Sequence, residues 1–188
     1  MKMTSKWALS LYVLCGSALS SQAFAINCNT LDEWSPTIDG KQVNLHHVFC
    51  GEPSKNDRAK GFHAFPKGVK PSNFQSAQPT DAPNTAGVFT LRQIKLEFNG
   101  KVYTKSFSSM FPEHCSADQI TASIVYSNTT STGNCSNPSW AQCGMSAPAT
   151  DVTDGYCNGN DGKPFQVASA LLYDDNSKIN TGFPIYQP

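Results

Sequence analysis

The sequence predicts an α+β fold of antiparallel strands with few helices, stapled by disulfides. Three features predict it. Ile94, Leu96 and Phe98 alternate with Lys95 and Glu97, run into Asn99-Gly100, and are followed by Lys101–Phe107 with its aromatic and β-branched residues. That is a β-hairpin over about residues 89–108. Next, Ser116-Ala117-Asp118-Gln119 is a capping-box pattern leading into Ile120, Ile124 and Val125, a helix to about Tyr126. Finally, six cysteines remain once an export signal is set aside, an even number in an exported chain.

The export signal is at the start. Lys2 and Lys6 flank the beginning of a mostly apolar run from Trp7 to Leu19, and Ala23-Phe24-Ala25 is an A-x-A site. Residues 1–25 read as a signal peptide removed after Ala25. The run is short for a membrane span and contains Ser10, Gly16 and Ser17, so no membrane partner is expected. About 163 residues remain, 26–188, enough for a single domain with its own core. The expected location is secreted or periplasmic. Cleavage removes Cys15 and leaves Cys28, Cys50, Cys115, Cys135, Cys143 and Cys157 as disulfide candidates. The sequence does not choose among their pairings. With no C-x-x-C and no zinc-finger spacing, no metal site is expected. Loss of Lys2 and Lys6 leaves 12 basic against 14 acidic residues, a net charge of −2. That argues against broad attachment to nucleic acid and leaves room for a local basic site.

Taken in order, residues 26–45 carry Leu31, Trp34, Ile38 and Leu45 among polar residues, a short helix or strap tied down by Cys28. Residues 67–87 are rich in Pro, Ser, Asn, Gln and Ala and read as loop. After the hairpin and helix, residues 127–162 form a Ser/Thr/Asn/Gly-rich insertion with three cysteines, held by disulfides in place of an apolar core. Two sequons, at Asn128 and Asn134, matter only in a eukaryotic secretory route. Pro164–Tyr173 reads as a strand, Asp174–Ser177 as a turn and Lys178–Ile185 as a final strand.

The candidate chemistry lies in His46-His47-Val48-Phe49-Cys50-Gly51-Glu52 and Gly61-Phe62-His63. His47 and His63 are 16 residues apart, at the two ends of a polar connection, where they can face one cleft. Two imidazoles near neutral pH can serve as base and acid. Lys105, on the second hairpin strand, is the best candidate for a cation beside them. Such a set cleaves RNA without metal: a base takes the 2′-hydroxyl proton, the oxygen attacks phosphorus, and an acid protonates the leaving 5′-oxygen. The cluster Lys55, Arg58, Lys60, Lys67 and Lys70 is a candidate for local steering of a phosphate backbone. His114, beside Cys115, reads as structural or surface.

His47-Val48-Phe49-Cys50-Gly51-Glu52, Gly61-Phe62-His63, Lys105 before Ser108-Ser109-Met110-Phe111-Pro112, and Thr181-Gly182-Phe183-Pro184 occur in that order. Over roughly residues 44–126 and 163–186 the chain resembles the EndoU endoribonuclease family, in its bacterial branch. The resemblance implies an RNase A-like site and fold, a preference for uridine and a 2′,3′-cyclic phosphate product. It implies His47 and His63 as the acid–base pair, which we assign as His63 the base and His47 the acid, and Lys105 as charge stabiliser, with Ser109, Thr181 and Phe183 receiving the base. It implies that no cofactor is required, with Mn²⁺ stimulation left open, and RNA as the partner. By analogy it also implies an immunity or inhibitor protein and a toxin or effector role. The motif context favours His47 over His46. The chain departs from the family in having Phe183 where many members have tyrosine, so a hydroxyl is missing; Tyr186 is the nearest substitute. The cysteine-rich insertion and the separate export are further departures.

Two other readings compete. A cysteine hydrolase would use Cys50 with His47 or His63. A non-enzymatic, disulfide-stapled binding module would leave the histidines and Lys105 unexplained.

Overall fold

A computed structural model describes residues 25–149 and 154–188. The signal-peptide expectation falls on residues 1–24 and the cleavage site beside them, and so lies essentially outside the described residues.

The N-terminal stretch is a strap, not a helix. Cys28 bonds Cys50, Trp34 bridges Asn44, and β1 (Gln42–Val43) pairs in parallel with the last strand. A single π-helical turn, His46–Cys50, follows. Two short strands, β2 (Glu52–Pro53) and β3 (Ala59–Lys60), close on each other as an antiparallel ladder.

Residues 67–87 are not all loop. Phe74–Pro79 forms β4, which pairs antiparallel with β5 (Phe89–Phe98). β4 is an edge strand with only Phe74 and Ala77 partly buried, so its polar sequence hides it. β5 and β6 (Lys101–Met110) form the expected hairpin, turning at Asn99 and Gly100 with φ of 51° and 76°. The three strands bury Phe62, Phe65, Ile94, Leu96 and Met110 beneath them.

The helix α1 spans Ala117–Thr129, three residues beyond the expected end. Its capping box is formed: Ser116 Oγ accepts from Gln119 N, and Gln119 Oε1 accepts from Ser116 N. The insertion does not stand apart from the core. Its β7 (Gly133–Asn134) and β8 (Gln142–Met145) join β9 (Gln166–Leu172) and β10 (Asp175–Pro184) in a sheet ordered β1-β10-β9-β8-β7. Asn128 is buried and its amide donates to Gln142 and Ser169, so it is part of the fold rather than an open acceptor site. Cys115–Cys157 and Cys135–Cys143 complete three disulfides.

α1 packs on this sheet through Ile120, Ile124 and Val125, all fully buried. Each such side chain contributes roughly 1.5–3 kcal/mol by leaving water. Gly182 is required at the contact, because a Cβ there would lie 2.6 Å from Ile124. The two sheets thus have separate cores, and a cleft opens between them.

Candidate active site

β6 presents Lys105, Phe107 and Ser109 at successive alternate positions, the spacing that puts side chains on one face of a strand. β10 presents Thr181 and Phe183 in the same way. All five line one cleft of about 450 Å³, together with His47, His63, Lys60, Gly61, Ser108, Trp140, Ala170 and Asn180. Every catalytic and base-binding candidate from the sequence therefore meets at one place.

The two histidines are brought together by backbone pairing. Phe62 N donates to His47 O and His63 N donates to Val48 O, each at 2.7 Å. Gly61 makes the approach possible: its φ is 71°, and a Cβ would lie 2.1 Å from His47 O. Phe111 N donates to His63 O at 2.8 Å, which locks this residue to the end of β6. The imidazole centroids are 6.2 Å apart.

Their surroundings differ. Asn44 Oδ1 accepts from His47 N at 2.8 Å, and its amide donates to Glu52 at 3.3 Å and to Asn180 at 3.2 Å. His47 Nδ1 lies 3.4 Å from Glu52 Oε2. The contact lacks good hydrogen-bond geometry and is an ion-pair contact. The His47 imidazole, and then Lys60 at 2.9 Å, hold the Glu52 carboxyl at about 2 against the opposing effect of burial. Glu52 is thus a carboxylate throughout the neutral range, facing His47.

Among the described residues, no carboxylate faces His63. Its Nδ1 lies 3.2 Å from Ser109 O and 2.9 Å from Ser108 Oγ. A carbonyl cannot donate, and Ser108 donates its own proton to Phe62 O at 2.6 Å. Nδ1 therefore carries the hydrogen, and in the neutral ring Nε2 keeps its lone pair. Burial, then the charge of Lys105 and then His47, push the His63 pKa well below the usual 6.5. Lys105 donates to Gly61 O, and burial lowers its pKa to about 8.

Ser109 and Thr181 are buried at the cleft, and the Phe183 ring stacks on His63 at 5.1 Å. Tyr186 does not supply the missing hydroxyl to the cleft, since its OH donates to Ala82 O at 3.3 Å. His46 is bound to Leu31 O through Nε2 at 2.7 Å, anchoring the strap. His114 is exposed and bonded to Asn158 O. Of the five basic residues at 55–70, only Lys60 lines the cleft; Lys67 donates to His114 O and Lys70 lies over the Phe74 ring. Cys50 is bonded to Cys28, so it is not available as the thiolate of a cysteine hydrolase. Asn44, Glu52, Ser108, Asn180 and Trp140 belong to the site and were not picked out by sequence reasoning. Glu52 could have been: it sits in the same motif as His47, just past the Gly51 turn.

Two imidazoles in opposite environments, with an ammonium beside them, form a set suited to moving protons around a phosphodiester. The chain belongs to the bacterial EndoU nuclease family, whose model (Bacterial EndoU nuclease) matches residues 41–186. No curated protein and no solved structure matches it.

Proposed function

We propose that the protein is an exported endoribonuclease that cleaves single-stranded RNA at uridines by transesterification through the 2′-hydroxyl. One observation carries the reading: His47 and His63 share a cleft at 6.2 Å, one beside a carboxylate and the other neutral with a defined tautomer. His63 Nε2 takes the proton from the 2′-hydroxyl. The 2′-oxygen forms its bond to phosphorus as the bond to the 5′-oxygen breaks. His47 delivers a proton to that oxygen, with Glu52 balancing the ring's positive charge. Lys105 stabilises the charge on the non-bridging oxygens. The products are a 2′,3′-cyclic phosphate and a 5′-hydroxyl.

These three groups provide base, acid and cation, so the reaction requires no cofactor; stimulation by Mn²⁺ is a separate question. Phe183 offers a ring to the uracil, with Ser109 and Thr181 as hydrogen-bonding groups beside it. The three disulfides and the N-terminal signal pattern support a periplasmic or extracellular location. A toxin or effector role with a cognate immunity protein fits an exported ribonuclease.

The test is cleavage, in EDTA, of a fluorescent oligoribonucleotide holding one uridine among adenosines. We expect a single cut after the uridine, lost in His63→Ala. Cleavage at other bases would remove the uridine assignment. No cleavage, with or without Mn²⁺, would remove the ribonuclease reading.

A further inference from the structure

We propose that Trp140 is a stacking platform for the nucleobase immediately 5′ of the cleaved nucleotide, so that the insertion extends the substrate site upstream. This rests on the ribonuclease reading above. Trp140 is 62 % exposed and yet lines the cleft. Its ring meets Phe183 at 5.9 Å, Phe183 meets His63 at 5.1 Å, and His63 meets His47 at 6.2 Å. The aromatic rings thus form a series from the insertion to the two histidines. At 5.9 Å, Trp140 and Phe183 are in direct contact, so no base sits between them.

The polarity follows from the chemistry. The attacking 2′-hydroxyl belongs to the nucleotide at Phe183 and His63, and the leaving oxygen lies at His47. The strand therefore runs 5′ to 3′ from Phe183 toward His47, and the preceding nucleotide falls on Trp140.

The fold holds the loop that carries the indole, and the ring rests against Phe183. Trp140 lies in the loop closed by Cys135–Cys143. Cys135 N donates to Ala141 O at 2.8 Å, and Ala141 N to Pro138 O at 3.2 Å. The flanking β7 and β8 pair with each other, and β8 pairs with β9 through Cys143 and Ala168. A side chain fixed in this way loses little freedom on binding. Stacking also suits a chain without net positive charge, because it holds RNA without many phosphate contacts.

The experiment compares kcat/KM for UpA, ApUpA and UpApA with the oxidised protein, as ratios within each variant. In the unsubstituted protein the 5′ adenosine should raise kcat/KM about tenfold, mostly through KM. In Trp140→Ala that ratio should fall to near one, and Trp140→Phe should keep most of it. An unchanged ratio in Trp140→Ala, or loss of the 3′ gain instead, would overturn the proposal, since Trp140 would then only prop Phe183 or serve the other side.

A second readout needs no cleavage. In the mature protein with Trp34→Phe, Trp140 is the remaining tryptophan. Its fluorescence should be quenched by ApdUpA, in which the 2′-hydroxyl is absent, and much less by dUpA. Absence of quenching would overturn the platform. If no substrate is cut yet ApdUpA quenches, the platform stands and the ribonuclease reading is what has failed.

Discussion

His47 and His63 line one cleft, both buried and only 6.2 Å apart, in contrasting company. His47 faces the Glu52 carboxylate, which is itself held by Lys60 and approached by Asn44. His63 faces a carbonyl, a hydroxyl and the Lys105 charge. The first setting puts a carboxylate against the ring. The second favours a ring with one proton. Identical side chains are thus given different electrostatic settings by what lies behind them.

The comparison can be broken in stages. The largest effect should come from the rings themselves: His63→Ala or His47→Ala should each lower kcat by roughly 10²–10⁴-fold, measured on a single-uridine oligonucleotide. Lys105→Ala should follow, at about 10²–10³-fold, as for loss of one charge-stabilising group. The Lys105 ammonium is charged below its pKa of about 8 and neutral above it, so kcat/KM should decline as pH rises through about 8.

On the acid side both groups lower stability as pH falls, over different ranges. His63 stays neutral well below 6.5, so the base should remain competent as pH falls past that value, and a profile breaking at 6.5 would contradict its burial. Its depressed pKa means that the unfolded chain takes up a proton that the fold excludes. Stability should therefore decrease as pH drops below 6.5. Glu52 adds stability that is complete above its ordinary 4.5 and lost as pH falls toward about 2.

Glu52→Gln sharpens the contrast further. It removes the charge opposite His47 while keeping the shape, and should lower kcat about tenfold with little change in KM, because His47 is the group it positions. Ser108→Ala is the mildest change. Ser109 O still accepts from His63 Nδ1, so a loss of about fivefold is expected, the scale of one neutral hydrogen bond.

The residues proposed for the chemistry were legible as a set that meets in one cleft because motif order and strand alternation expose them. Lys105 and Ser109 lie on one strand face, and the turn at Asn99-Gly100 announces that strand. The residues that set the two environments were harder to see. Asn44 acts through a buried amide shared among His47, Glu52 and Asn180, a tertiary arrangement with no sequence period. β4 went unread because an edge strand needs only one good partner, and Phe74 and Ala77 carry too little apolar pattern alone. The insertion looked like an appendage because its apolar content is low. Its place in the sheet comes from backbone pairing of β8 with β9, and from Ser127, Asn128 and Ser146 bonding inward.

The central claim is that the nucleophile is the substrate's own 2′-hydroxyl, activated by His63. The most direct measurement pairs two oligonucleotides identical except at the cleavage site, uridine in one and 2′-deoxyuridine in the other, with mass analysis of the ends. Cleavage of the first alone, leaving a 2′,3′-cyclic phosphate and a 5′-hydroxyl, is the expected result. Cleavage of the deoxy substrate at a comparable rate would contradict the account, because water rather than the ribose would then be the nucleophile.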